Sequence, residues 1–256
     1  MATGAITGYI DVAQLVLYAF WIFFAGLILY LRREDKREGF PLENERSAHV
    51  SVMGFPRPPS PKTFLLPHGG TYSAPNNKKD ERTIHAKPVA AWPGAPLQPT
   101  GNPMRDGVGP ASYAQRQDVP EYTFEGLPTI VPMRVAVEAF VDPSDPDPRG
   151  LNVVGCDNKV AGTVHELWVD RSEPQIRYLE VAVAGGDRHV LVPITLAKIV
   201  PHRRRVEVVS VLASQFADAP VLSNPDQVTK LEEDRITAYF ASGHLYATRA
   251  RSEPLL

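Results

Sequence analysis

The chain has 256 residues, a formal net charge of −2 and one cysteine. That length holds one or two domains, and that charge gives no electrostatic footprint for nucleic acid. Cys156 alone excludes an internal disulfide and a cysteine-cluster metal site, and its place between Gly155 and Asp157 predicts a small buried residue, not a nucleophile.

Met1 to Ile10 carries no Lys or Arg. Val12 to Leu31, VAQLVLYAFWIFFAGLILYL, carries no charge at all, and Gln14 is its only strongly polar residue. At ~1.5 Å per residue such a run spans a hydrocarbon core of ~30 Å. Arg32, Arg33, Lys36 and Arg37 follow at once. The positive-inside rule puts that flank in the cytoplasm and the N-terminus outside. A cleaved signal peptide is the competing reading. The apolar run is too long for one, no basic n-region precedes it and no A-x-A site follows. Arg32 and Arg33 are expected at the headgroup level, where they attract anionic lipid. Lys36-Arg37-Glu38 should continue the helix for a turn or two before Gly39 and Pro41 stop it.

Gln14, Tyr18, Trp21, Ala25 and Ile28 recur on one stripe of that helix. Tyr9 and Tyr30 stand where interfacial aromatics stand. Tyr18 and Trp21 sit near mid-depth, where an unpaired O–H or N–H is costly. Either the stripe packs on other membrane helices, which Ala25-Gly26 would let approach closely, or it faces lipid with tolerated aromatics.

From Ser47 to Pro128 prolines break any periodicity. The stretch also carries Phe55, Phe64, Leu65, Leu66, Tyr72, Trp92, Tyr113, Tyr122 and Phe124, too many large apolar groups for a solvated tether. An irregular segment lying along a surface, part of it another subunit's, is expected; a floppy linker is the alternative.

From Thr129 short β-branched runs begin. Val131–Val141, Leu151–Cys156, Lys159–Asp170, Arg177–Val183, Arg188–Val192, Leu196–Val200 and Arg205–Val211 read as strands. Gly185-Gly186-Asp187 reads as a hairpin turn. Such strands at ~8–12-residue spacing predict a small sandwich or barrel. A helix follows, with Asn224 as cap, Pro225 in its first turn and Gly243 as its stop. Val228, Leu231, Arg235, Ile236, Tyr239 and Phe240 would give its partly apolar face. Thr248 to Leu256 reads as a mobile tail.

No nucleotide-loop, metalloprotease or nucleophile-elbow motif is present. His49, His68, His85, His165, His189, His202 and His244 show no ligand spacing, so no metal site is predicted. One cluster carries candidate chemistry. Asp170, Arg171, Glu173 and Arg177 surround a proline turn after a strand, and carboxylates beside arginines can pass protons or set a local potential. From spacing alone, an ordinary charged hairpin loop is the favoured reading.

YAFWIFFAGLILYLRREDKREGFPLE resembles the H subunit of the photosynthetic reaction centre of purple bacteria. So do KTFLLPHG, PTGNPMRDGVGPASY, VVGCDNKVAGTVHELWVD and VTKLEEDRITAYFASG. These blocks run in one order nearly from end to end. The resemblance implies a fold of a single N-terminal transmembrane helix plus a mainly-β cytoplasmic domain, a PRC-type barrel, with a C-terminal helix. The expected parts are a periplasmic N-terminus (1–11), the membrane helix (12–31), an irregular proline-rich segment (32–128) and the barrel domain with its helix (129–256).

By the same resemblance the chain is an accessory subunit without enzymatic activity of its own, in a bacterial inner (intracytoplasmic) membrane. It would cap the L and M subunits, stabilise the quinone sites and assist proton transfer to the secondary quinone. It would bind no cofactor itself; the complex would carry bacteriochlorophyll, bacteriopheophytin, quinones and non-haem iron. An antenna complex and membrane lipids are further expected partners. Glu173 matches the family's internal carboxylate below the secondary quinone, and Asp170 and Arg177 match its charged neighbours. Some members carry an Asp and two His in the loop before the barrel, where protons enter and transition metals inhibit. Here residues 121–128 read EYTFEGLP. Without histidine, surface proton capture would fall to Glu121, Glu125 or another group, and a metal-inhibition site there is not expected. The alternative is a membrane-anchored barrel module that recruits an unrelated soluble partner.

Overall fold

The computed structural model describes residues 4, 6, 7, 10–44, 47–67, 69–78, 80–92, 94–173 and 175–252. Tyr9, His68, Pro174 and the last four residues of the expected tail lie outside the described residues. The chain divides into two compact units, Met1–Asp80 and Glu81–Leu256.

The first unit opens with α1 (Val12–Glu34). Asp11 caps it, its carboxylate accepting from Gln14 N at 2.7 Å. The helix is long and apolar enough to cross a membrane by length and composition, and none of its residues is buried within the chain. A single turn, Asp35–Arg37, continues it as expected, and Gly39, in the left-handed region at φ +72, ends it.

Lys36 and Arg37 then turn inward. Lys36 Nζ donates to the carbonyls of Met53 and Pro56 at 2.9 and 2.7 Å. Arg37 pairs with Glu34 at 2.7 Å and donates to the carbonyls of Ser60 and Ala74. Two of the four basic residues at the exit thus pin the returning chain, and only Arg32 and Arg33 of the four stay exposed. Two antiparallel hairpins follow, β1 (Leu42–Asn44) with β2 (Ser47–Val52), and β3 (Lys62–Leu65) with β4 (Thr71–Ala74). Prolines at 56, 58, 59, 61 and 75 bound the second hairpin, where a missing N–H does no harm.

The second unit begins with the hairpin of β5 (Ala86–Pro88) and β6 (Leu97–Pro99). The short α2 (Pro103–Asp106), capped by Asn102, and a turn at Gly109–Ala111 come next. Residues 81–128, read from the sequence as irregular, belong to this unit and bury Ala95, Met104, Val108 and Ala111 in it.

The main sheet is built on β9 (Val160–Asp170), which pairs along one edge with β10 (Gln175–Val183). Its other edge is shared. β7 (Ile130–Pro132) pairs with the Trp168–Asp170 end, and β8 (Asn152–Val154) with the Val160–Thr163 end. Beyond β10 lies β11 (His189–Pro193), joined through the expected glycine turn. Beyond β8 lie β13 (Arg205–Glu207), parallel to it, and β12 (Lys198–Val200). The path β11-β10-β9-β8-β13-β12 is open, with no pairing between β11 and β12 among the described residues. Leu167, Trp168, Leu179, Val192 and Val206 are fully buried in the core it carries. Each such side chain contributes about 1.5–3 kcal/mol.

α3 (Lys230–Tyr246) packs on β11, on α2 and on the Gly109–Ala111 turn. Ile236, Tyr239 and Phe240 are buried as its periodicity required. Its start differs from expectation. Thr229 caps it in a reciprocal box, Glu232 N to Thr229 Oγ1 at 3.1 Å and Thr229 N to Glu232 Oε2 at 2.9 Å. Asn224 instead accepts from Asp226 N in a local turn. Its stop also differs. Gly243 lies inside the helix, where a Cβ would strike the Ser210 carbonyl oxygen and sit 2.6 Å from Val211 Cγ1. The glycine serves close approach, not termination.

Three other expectations are corrected. The alternation over Val131–Val141 is not one strand: past Pro132, Val135 N and Ala136 N both return to the Pro132 carbonyl in a turn. Cys156 is only half-buried. Residues 248–252 are not a loose tail, because Arg251 donates to the carbonyls of Ser210, Gly243 and Val209 at 2.7, 2.9 and 3.0 Å.

Candidate functional site

β9 ends on Asp170 and β10 begins on Gln175, its register partner. Between them Asp170 Oδ1 accepts from the backbone N–H groups of Ser172 and Glu173 at 2.9 and 3.1 Å. An acceptor-only side chain thereby fixes the turn. Glu173 is exposed at its tip, and Gln175 Nε2 donates to Glu173 Oε2 at 2.9 Å. Neither neighbouring arginine pairs with Glu173 among the described residues. Arg171 leans toward β7, donating to the carbonyls of Pro128 and Val135 and standing 3.5 Å from Glu138 Oε1.

Arg177 acts on a different carboxyl, Glu233, through its charge. It falls in a bulge of β10, between Ile176 and Tyr178, where the register with β9 shifts. The next residue, Tyr178, is buried and its hydroxyl donates to Glu233 Oε2 at 3.0 Å. Glu233 lies half-buried in the first turn of α3. Burial pushes its pKa up, the Tyr178 hydrogen bond and the positive charges of Arg177 and Arg116 pull it down, and the negative charge of Glu121 pushes it up. Burial and the adjoining Glu233 carboxyl together push the Tyr178 phenol up as well. Arg116 also stands 3.4 Å from Asp234.

So the charges of Arg177 and Glu121, two candidate residues of the sequence pattern, bear on Glu233, which that pattern does not single out. Its signal was the Glu232-Glu233 pair at the helix start. One Glu suffices for the capping box, and Glu232 fills that place while also accepting from Ser223. The second is left for other work.

Glu125 lies elsewhere, exposed in a tight hairpin closed by Thr123 N to the Leu127 carbonyl at 2.8 Å. Hydrogen bonds from the Thr123 hydroxyl and from its own backbone hold its carboxyl below the usual range. Phe124 beside it is 97% exposed.

On α1 the polar stripe is partly satisfied from within. Gln14 Nε2 donates to the Tyr18 hydroxyl at 2.8 Å, one turn on. Trp21 packs edge-on against Phe20 and Phe24, at 5.5 and 6.1 Å between ring centroids. Ala25 stays exposed, leaving a shallow place in that face.

Two family models match the chain. Photosynthetic reaction centre, H-chain N-terminal region, covers residues 4–135. PRC-barrel domain covers residues 144–213, the span that holds β8 to β13.

Proposed function

The chain belongs to the family of photosynthetic reaction centre H chains, and on that premise we propose that it caps the L and M subunits on the cytoplasmic side of the membrane. In this role it stabilises the quinone sites and assists proton transfer to the secondary quinone. Residues 12–31 form its single membrane crossing with the N-terminus periplasmic, 32–128 lie against L and M, and 129–256 form the barrel domain. Gln14, Tyr18, Trp21 and Ala25 pack on neighbouring membrane helices, and Arg32 and Arg33 meet lipid headgroups. Exposed apolar groups such as Phe55, at 85%, and Phe124 support a large contact surface.

One observation carries the proton-transfer reading: Glu233 is half-buried and bonded to Tyr178, and the charges of Arg177, Arg116 and Glu121 act on it. A carboxyl with opposed influences on its pKa takes a proton when negative charge appears near it and releases it when that charge is neutralised. Glu173 and Asp170 stand on the same β9–β10 hairpin as Arg177 and Tyr178. Protons captured at the surface by Glu121 or Glu125 would be passed inward through this set. Its carboxyls suit holding and moving protons, and its guanidiniums, which stay charged, set the local potential. The pigments, quinones and iron of the complex lie in the other subunits in this reading.

Purification in mild detergent tests the assignment. Near-infrared pigment absorbance should travel with this chain. A chain that purifies without pigment, with an unrelated soluble protein, would favour a recruiting module instead.

A further inference from the structure

We propose that His165, Glu180 and His189 form a binding centre for a divalent cation of the Zn²⁺ class. This goes beyond the quinone-side role and is independent of it. Their ligand atoms all lie within 4.8 Å of one another.

The three residues come from three adjacent strands, and the register explains how they meet. Glu180 pairs with Leu191 and Ala182 with His189 across β10–β11. Glu180 and His189 are therefore diagonal neighbours on one face. Across β9–β10, Glu180 pairs with Glu166 and Val181 with Val164, so His165 is the extra residue of a bulge. A bulge re-aims a side chain. Here the His165 ring reaches 4.5 Å from the His189 ring, centroid to centroid, at 71°.

The donor chemistry selects the cation. Two imidazoles with one carboxylate suit Zn²⁺, Ni²⁺ or Cu²⁺ and not Mg²⁺ or Ca²⁺. The carboxylate is also held from behind, as metal-ligating carboxylates are. Glu180 is buried, and Trp168 Nε1 donates to its Oε2 at 2.9 Å. Its Oε1 faces His189 Nδ1 at 2.6 Å. Arg134 Nη1 stands 3.6 Å from Glu180 Oε2 and opposes a cation. That charge is shared, because Arg134 Nη2 lies 2.8 Å from Asp226 Oδ1 and donates to the Pro225 carbonyl. Both histidines are exposed, which gives a cation entry and leaves coordination positions for water. Bound there, it ties the edge strand β11 to β10 and β9.

The full-length chain in mild detergent is titrated with Zn²⁺ against a zinc indicator, and its thermal unfolding is followed with and without Zn²⁺. Saturable binding is expected in the wild type. Affinity should fall at least about tenfold in His165→Gln and in His189→Gln, the low end of what even an outer-shell partner contributes. It should be unchanged in His202→Gln, at another exposed histidine. Zn²⁺ should raise the wild-type unfolding temperature and leave that of the two site variants unmoved. Metal-free unfolding temperatures check that the variants fold, and the Asn variants at both positions repeat the test wherever Gln lowers them. Absence of saturable wild-type binding, unchanged affinity in either site variant, or an equal loss in His202→Gln would overturn the proposal.

Discussion

The Tyr178 hydroxyl donates to Glu233 Oε2 at 3.0 Å and joins β10 to the first turn of α3. The bond sets two influences against each other at one carboxyl. Burial favours the neutral form of Glu233, while the phenol and the two guanidiniums favour the charged form. The net shift is upward.

That upward shift has a definite sign in stability. The folded pKa of Glu233 lies above its unfolded value, so its contribution is complete below an unfolded pKa of ~4.3 and is lost as pH rises through the folded pKa. Glu233→Gln is neutral throughout. The variant should therefore gain stability relative to wild type as pH rises from the unfolded pKa of Glu233 through its higher folded pKa. Tyr178→Phe removes a hydrogen bond that lowers the pKa and should steepen the wild-type trend. Thermal unfolding of the full chain in detergent reads both effects. A wild-type minus variant difference that ignores pH would contradict the sign.

Thr229→Ala removes the helix cap and the bond from Thr229 Oγ1 to Asp118 Oδ1 at 2.7 Å. The expected cost is about 1–2 kcal/mol, largely recovered by Thr229→Ser. Urea unfolding of the two variants measures it.

Gly243→Ala drives a methyl into the Ser210 carbonyl and Val211. The expected cost is about 1–3 kcal/mol, as for overpacked cores. Gly186→Ala meets nothing within 4 Å and should leave the urea midpoint unmoved.

Orientation is tested separately. Arg32 and Arg33 stay exposed at the exit of α1, and the positive-inside rule predicts that the remainder of the chain is cytoplasmic. Protease added to sealed, right-side-out cells should leave the chain beyond Arg37 intact, and digestion from outside would reverse the orientation.

Sequence patterns reached some of these elements and not others, for physical reasons. α1 was legible because an uncharged run of that length has few other uses. β9, β10 and β11 were legible because short runs rich in β-branched residues are separated by turn signals. Val131–Val141 misled because apolar residues past Pro132 keep a strand-like period while the backbone turns. Asn224-Pro225 carries the signature of a helix start, yet Thr229 with Glu232 forms the box. Asp170 and Glu173 were visible from their charge after a strand. Glu233 was not, because its environment is built by Tyr178, Arg177 and Glu121 from distant stretches. The proximity of His165 and His189 was not legible, because only the bulge in β9 and the β10–β11 register bring them together.

Proton delivery through this chain is tested most directly by flash spectroscopy of the pigment complex carrying Glu173→Gln. The change keeps the side chain's shape and its bond to Gln175 but removes the ionisable group. The second electron transfer to the secondary quinone should slow by at least about tenfold, or roughly 1.4 kcal/mol on the barrier, with light-induced charge separation unchanged. A second-electron rate equal to wild type between about pH 7 and 9 would contradict the role and leave Glu173 an ordinary charged turn residue.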